Sequence, residues 1–115
     1  MVIIELPRAP SVNRLWRAGR GKVYKSAEYN KWLADCHILI RAQKPNKIKG
    51  GYRLIIEAVK PDKRKRDIGN LEKGISDLLQ ATGIVENDCL CNELISRWVT
   101  SGPEMRLLLE PYDVV

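Results

Sequence analysis

"YRLIIEAVKPDKRKRDIGNLEKGISDLLQATG", residues 52–83, changes character twice in a short span. Its first part, "YRLIIEAV" (52–59), places Leu54, Ile56 and Ala58 on one face of a strand and Ile55 and Val59 on the other. Apolar residues on both faces predict a central strand with both faces largely covered. A block of cations follows, Lys63, Arg64, Lys65 and Arg66. Then Ile68, Leu71, Ile75, Leu78 and Leu79 recur in helical steps, so the spacing predicts a helix over about Asn70–Ala81 with one buried stripe. Gly83 is placed to cap its C-terminal end.

Working outward, "MVIIEL" reads as a short strand stopped by Pro7 and Pro10. "SVNRLWRAGRGKVYKS" is a loop or a loose hairpin turning at Gly19–Gly21, with Trp16 and Tyr24 on its arms. Ser26 suits an N-cap. The helix that follows, about Ala27 to Gln43, buries Tyr29, Trp32, Leu33, Cys36 and Ile40, and Pro45 and "NKIKGG" end it. On the C-terminal side, "LISRWV" and "MRLLLE" read as strands joined across "TSGPE" as an antiparallel hairpin. The fold class expected is α/β (α+β): one domain over residues 1–115, with a mixed β-sheet packed against two main helices.

The 115 residues are 44% hydrophobic and 30% charged, the balance of a folded globular chain. No apolar run approaches the roughly 18 residues that span a bilayer, and the N-terminus lacks the basic start of a secretory signal. The expected compartment is the cytoplasm, with no membrane partner. Cys36, Cys89 and Cys91 are an odd set, and Cys89 and Cys91 flank one residue, a spacing unlike a zinc knuckle. They read as small, mostly buried side chains.

The net charge of +6 is unevenly distributed. Residues 1–66 carry 17 Lys/Arg and 5 Asp/Glu, whereas residues 67–115 carry 3 and 9. A basic part joined to an acidic part suits phosphate grip combined with divalent-metal ligands. On a helical wheel Asp67, Asn70, Lys73, Gly74 and Asp77 share one flank of the apolar stripe. Asp67 sits where the helix dipole favours an anion, and Asp88 follows in "ENDC". Carboxylates and a Lys beside a cationic block suit phosphodiester chemistry: Mg²⁺ takes oxygen ligands and activates water, and Lys stabilises developing charge. The same residues also suit a plain helix cap, a solvated carboxylate at Asp77 and a solvated charged turn.

The stretch "PDKRKRDIGNLEKGISDLLQATGIVENDC" resembles the RusA family of Holliday junction resolvases, whose pattern is a basic run, Asp-x-Asp-Asn-x-x-Lys, a helix with an internal Asp, then Gly and an acidic turn ending in Asp. "LPRAPSVNRLWRAGRGKVYKSAEYNKWL" is similar to the family's N-terminal part, so the resemblance covers nearly the whole chain. It implies a homodimeric, Mg²⁺-dependent (or Mn²⁺-dependent) endonuclease without a small-molecule cofactor, cutting four-way DNA junctions in recombination and repair, in a bacterial cell and often encoded by a phage or prophage. It further implies Asp67 and Asp88 as catalytic metal ligands, Lys73 as the catalytic lysine and Asn70 in support. Gly69 stands where the pattern has its second catalytic Asp, and Gly has no side-chain oxygen. Glu72 and Glu86 are near in sequence, but an ideal wheel points Glu72 away from Asp67.

The leading expectation is a junction-resolving endonuclease with a weakened metal site. Phosphates would be held by Lys63, Arg64, Lys65 and Arg66 together with Arg14, Arg17, Arg20, Lys22 and Lys25. A second reading, favoured by Gly69, is a branched-DNA-binding protein that does not cut. A third is a small nucleic-acid binder, of RNA for example, using Trp and Tyr as stacking platforms, although Trp32 and Trp98 read as core residues.

Overall fold

The computed structural model describes residues 1–114. Strand β1, Val2–Leu6, alternates strictly, with Ile4 and Leu6 buried and Ile3 and Glu5 exposed. Pro7 ends it, and Trp32 secures the exit by donating its indole N–H to the Pro7 carbonyl at 2.9 Å. Strands β2 (Trp16–Gly19) and β3 (Lys22–Lys25) form a separate antiparallel hairpin. Arg20 and Gly21 make its turn, with φ of 51° and 73°. Two left-handed residues in a two-residue turn follow the natural strand twist, so the segment is a hairpin and not a loop.

Helix α1 runs Ala27–Gln43, as its periodicity predicts. Ser26 caps it by accepting from the Tyr29 N–H at 3.0 Å, and its hydroxyl donates to the Arg14 carbonyl at 2.6 Å. One small buried side chain thus ties the hairpin's base to the helix start. Strand β4 is Tyr52–Val59.

Helix α2, Glu72–Ala81, starts later than the pattern suggests because a 3₁₀ turn, Ile68–Leu71, precedes it. Asp67 causes the difference: its carboxylate accepts from the Gly69 N–H at 2.9 Å, and its carbonyl accepts from the Asn70 N–H at 3.2 Å. These short-span bonds tighten the entry turn. At the other end the N–H groups of Gly83 (φ 74°) and Ile84 bond to Gln80 and Leu79, a Schellman cap. Strands β5 (Cys91–Val99) and β6 (Met105–Pro111) complete the chain.

The main sheet has the order β1-β6-β4-β5, with β5 parallel to β4 and β6 antiparallel to both β4 and β1. The expected β5–β6 hairpin is therefore incorrect: β4 lies between them. Helix α2 crosses over to set β5 beside β4, and the five residues of "TSGPE" then step across β4. That span is two strand spacings, roughly 10 Å, within reach of five residues. β4 is central, as expected.

Both helices pack on one face of the sheet, where Ile4, Leu54, Ile56, Ile75, Leu78 and Leu107 join a single core with Tyr29 and Trp32. The expectation that both faces of β4 are covered is corrected in part. Tyr52, Leu54, Ile56 and Ala58 are buried, while Arg53, Ile55, Glu57 and Val59 stay half-buried. Among the described residues no second helical layer covers that side; side chains in rows do. The strand register aligns Glu5, Arg106, Glu57 and Arg97 in one row, and Glu110, Arg53 and Glu93 in another. Arg106 lies 3.4 Å from Glu5, Arg97 2.8 Å from Glu57, and Arg53 bridges Glu110 (2.6 Å) and Glu93. Between the rows runs an apolar stripe, Ile3, Leu108, Ile55 and Ile95. Among the described residues no helix is long and apolar enough to cross a membrane.

Candidate nucleic-acid interface

The Arg8–Ser11 segment after β1, the loop after β4 and the entry turn of α2 surround a cleft of about 510 Å³. Arg14, Lys65, Arg66, Asp67 and Asn70 all line it. So do Arg8 and Trp98, which sequence reasoning did not assign to a site. Arg8 is held by two bonds from its guanidinium to the Val59 carbonyl, at 2.6 and 3.0 Å. It holds the carbonyl of the last residue of β4, a partnership 51 residues away that no local pattern signals. Trp98, expected as core, is half-buried: it packs against the core and also lines the cleft, with the Lys60 ammonium 5.8 Å from its ring centroid. Its position near the end of a sheet-edge strand leaves part of the indole uncovered.

Asp67 is exposed at the mouth of this cleft, oriented by its bond to the Gly69 N–H. Gly69 does not have a left-handed backbone, and a Cβ built on it meets only Asp67 Oδ1, at 3.3 Å. A side chain here, beside the Asp67 carboxylate, needs that exposed carboxylate to shift by a few tenths of an ångström.

Asp88 and Lys73 belong to a second group, and Asp88 does not line the cleft. Asp88 opens a 3₁₀ turn, Asp88–Leu90, and its N–H donates to Gln80 Oε1 at 2.9 Å. Lys73 is held at 3.1 Å by Asp77, which chiefly raises its pKa; Asp88 and Glu72 add smaller effects in the same direction. Asp77 is thus a fixed partner and not merely a solvated carboxylate. It also accepts from the Tyr29 hydroxyl at 3.3 Å. Burial first, then the Asp77 charge, pushes the Tyr29 phenol up to about 12. Glu72 accepts from Ser76 at 2.5 Å and Glu86 from the Gly50 N–H at 2.6 Å, so each near-sequence substitute is engaged elsewhere.

Among the described residues no three His, Cys, Asp or Glu side chains converge as a metal nest. Mg²⁺ needs an octahedral oxygen set. With Gly69 adding no oxygen, the side chains present do not fit a complete site. Cys89 is exposed, contrary to expectation, because the 3₁₀ turn directs it outward; Cys36 is buried and Cys91 half-buried.

The cations fall into two classes. Arg64 and Arg66 fold back on Asp62, at 3.5 and 2.8 Å. The Arg66 hydrogen bond is the main cause that lowers the Asp62 carboxyl to about 2. Lys63 and Lys65, and Arg14, Arg17, Arg20, Lys22 and Lys25, make no ion pair among the described residues. Lys25 instead lies 5.8 Å from the Tyr29 ring centroid.

The family model described as Endodeoxyribonuclease RusA matches residues 6–110. The chain is 36% identical over 84 residues to a crossover junction endodeoxyribonuclease of Enterobacteria phage HK97, covering 72% of this chain and 70% of that protein. It is 33% identical over 95 residues to the Aquifex aeolicus (strain VF5) protein of that description, covering 82% and 75%. It is 30% identical over 109 residues to that of Escherichia coli (strain K12), covering 92% and 91%.

Proposed function

The chain belongs to the RusA family of endodeoxyribonucleases, and from that membership we propose that it is a structure-selective endonuclease for four-way DNA junctions whose cleavage step is weakened at Gly69. The observation that carries the weakening is the vacancy beside Asp67: a backbone able to hold a second carboxylate holds none. Asp67 and Asp88 are proposed as the two carboxylates that remain of a Mg²⁺ or Mn²⁺ ligand set left incomplete at Gly69, with Lys73 and Asn70 in support. Lys65 and Arg14, which line the cleft with Asp67 and make no ion pair among the described residues, favour holding a phosphate there, with Arg66 held beside them by Asp62. A junction has two-fold symmetry and needs paired cuts, so the active form proposed is a homodimer. The setting is the bacterial cytoplasm, on bacterial or phage DNA.

Gly69→Asp tests the reading. Loss of an outer-shell partner alone costs about 10–100-fold in metal sites, so the variant is expected to raise Mg²⁺-dependent junction cleavage by at least roughly tenfold. A wild-type protein that already resolves junctions at a rate the variant does not improve would overturn it. A second reading, a junction binder that does not cut, is also favoured by Gly69. Gel shifts with and without Mg²⁺, run beside cleavage on the same junction, separate the two. Stronger binding to RNA than to junctions would sink both.

A further inference from the structure

We propose that the β2–β3 hairpin is a wedge that enters the open centre of a DNA junction, with Val23 on its apolar face just behind the turn. This rests on the junction-binding reading above and assigns how the branch itself is recognised.

The hairpin shares no strand pairing with the main sheet, and every residue of both strands is exposed. It is nevertheless braced at its base. Leu15 is fully buried, the Ser26 N–H bonds to the Leu15 carbonyl at 2.9 Å, and the Trp16 ring meets Tyr29 edge-on at 6.2 Å. The tight turn at Arg20 and Gly21 stiffens the far end. A braced ribbon of this kind projects as a single piece.

Its two faces differ. Register places Trp16 opposite Lys25 and Ala18 opposite Val23 on one face, and Arg17 opposite Tyr24 and Gly19 opposite Lys22 on the other. The first face becomes apolar one residue pair behind the turn, where Val23 is 70% exposed and paired with Ala18. The second presents cations, with the Tyr24 ring lying over Gly19. No Asp or Glu occurs from Ser11 to Ala27, so the ribbon has no internal use for its charge, and the complementary partner is polyanionic.

A ribbon reading bases in the major groove needs donors and acceptors on its inner face. Ala18 and Val23 have none in their side chains. Apolar side chains suit the flat faces of unstacked base pairs, as in wedges that pry base steps apart. In continuous duplex those faces are stacked, and a wedge must first separate them. At a four-way junction the strands already part, and phosphates converge around the opening, where Arg17, Arg20 and Lys22 would neutralise them. The wedge therefore favours branched DNA over duplex without reading sequence.

The test uses the whole protein without divalent metal, a four-way junction with 2-aminopurine at its centre, and a duplex of matching sequence. Expected is a fluorescence rise with the wild-type protein on the junction only. Val23→Ser is expected to abolish the rise and to lower junction affinity by about tenfold, leaving duplex affinity within about twofold. Val23→Leu, which keeps an apolar side chain on that face, is expected to retain both signals and so controls for a distorted ribbon. If wild type prefers the junction without a fluorescence change, or Val23→Ser keeps rise and preference, the wedge is wrong while the junction reading survives. If wild type binds duplex as tightly as junction, both fall.

Discussion

The open face of the sheet and the hairpin both carry arginine, and they use it in opposite ways. On the sheet face Arg53, Arg97 and Arg106 each lie against a glutamate. On the hairpin Arg17, Arg20 and Lys22 have no ionic partner among the described residues. In the first case β-register brings opposite charges side by side, and cross-strand pairs of that kind stabilise a sheet modestly. In the second, a two-stranded ribbon without acidic residues leaves its charge for a ligand. The count of arginines does not distinguish a DNA-binding surface from a structural one; the pairing does.

Removing the free cations should separate the two surfaces most visibly. Arg17, Arg20, Lys22 and Lys25 changed together to Ala are expected to weaken junction binding by more than ~100-fold at moderate salt, and to lower the slope of log K against log salt by about one per lost phosphate contact. Filter binding across salt concentrations checks both. An unchanged slope would mean that the hairpin does not touch phosphate.

The loop after β4 is intermediate, because Asp62 occupies Arg64 and Arg66. Asp62→Asn frees them, and DNA affinity is expected to rise about threefold at low salt with a steeper salt slope. The sign for stability is opposite. Because the folded carboxyl is lowered from 3.8 to about 2, its contribution is present above pH 3.8 and is lost as pH falls toward 2. Acid unfolding of Asp62→Asn should lack that component.

Alkaline titration probes the junction of hairpin and helix through Tyr29. Burial raises Tyr29 from 10.0 and Cys36 from 9.0, each to about 12. The unfolded chain therefore ionises first, so stability is fully present below about pH 9 and declines as pH rises toward 12. Urea midpoints between pH 8 and 11 should show the decline, and Tyr29→Phe should reduce it.

The smallest effect is expected on the open face. Arg97→Ala should leave DNA affinity within about twofold, because its charge already faces Glu57, and should cost under about 1 kcal/mol in urea unfolding. Arg53→Ala should lower the urea midpoint further, since Arg53 bridges two glutamates and stacks 4.1 Å from the Tyr112 ring centroid.

Much of this was legible locally. The span of α1, the Ser26 cap, the hairpin turn and the Gly83 cap rest on interactions within a few residues, which spacing and residue type report directly. The position of Asp67 at a helical entry was legible for the same reason. Its 3₁₀ geometry was not, because a carboxylate bonding two residues on competes with the α-helical pattern that the apolar stripe announces. The β5–β6 hairpin misled because two strands and a short loop look alike whether the strands pair or flank a third.

The sequence by itself determined which residues carry charge, which segments become helix and strand, and that position 69 offers no carboxylate. Only the tertiary structure decided which charges are neutralised at home. Glu5 meets Arg106 across 101 residues, Arg8 reaches the Val59 carbonyl across 51, and Asp77 joins Tyr29 to Lys73. Such partnerships depend on strand order and helix placement, which arise from burying one shared apolar face, and no local pattern records which distant residue will arrive beside another.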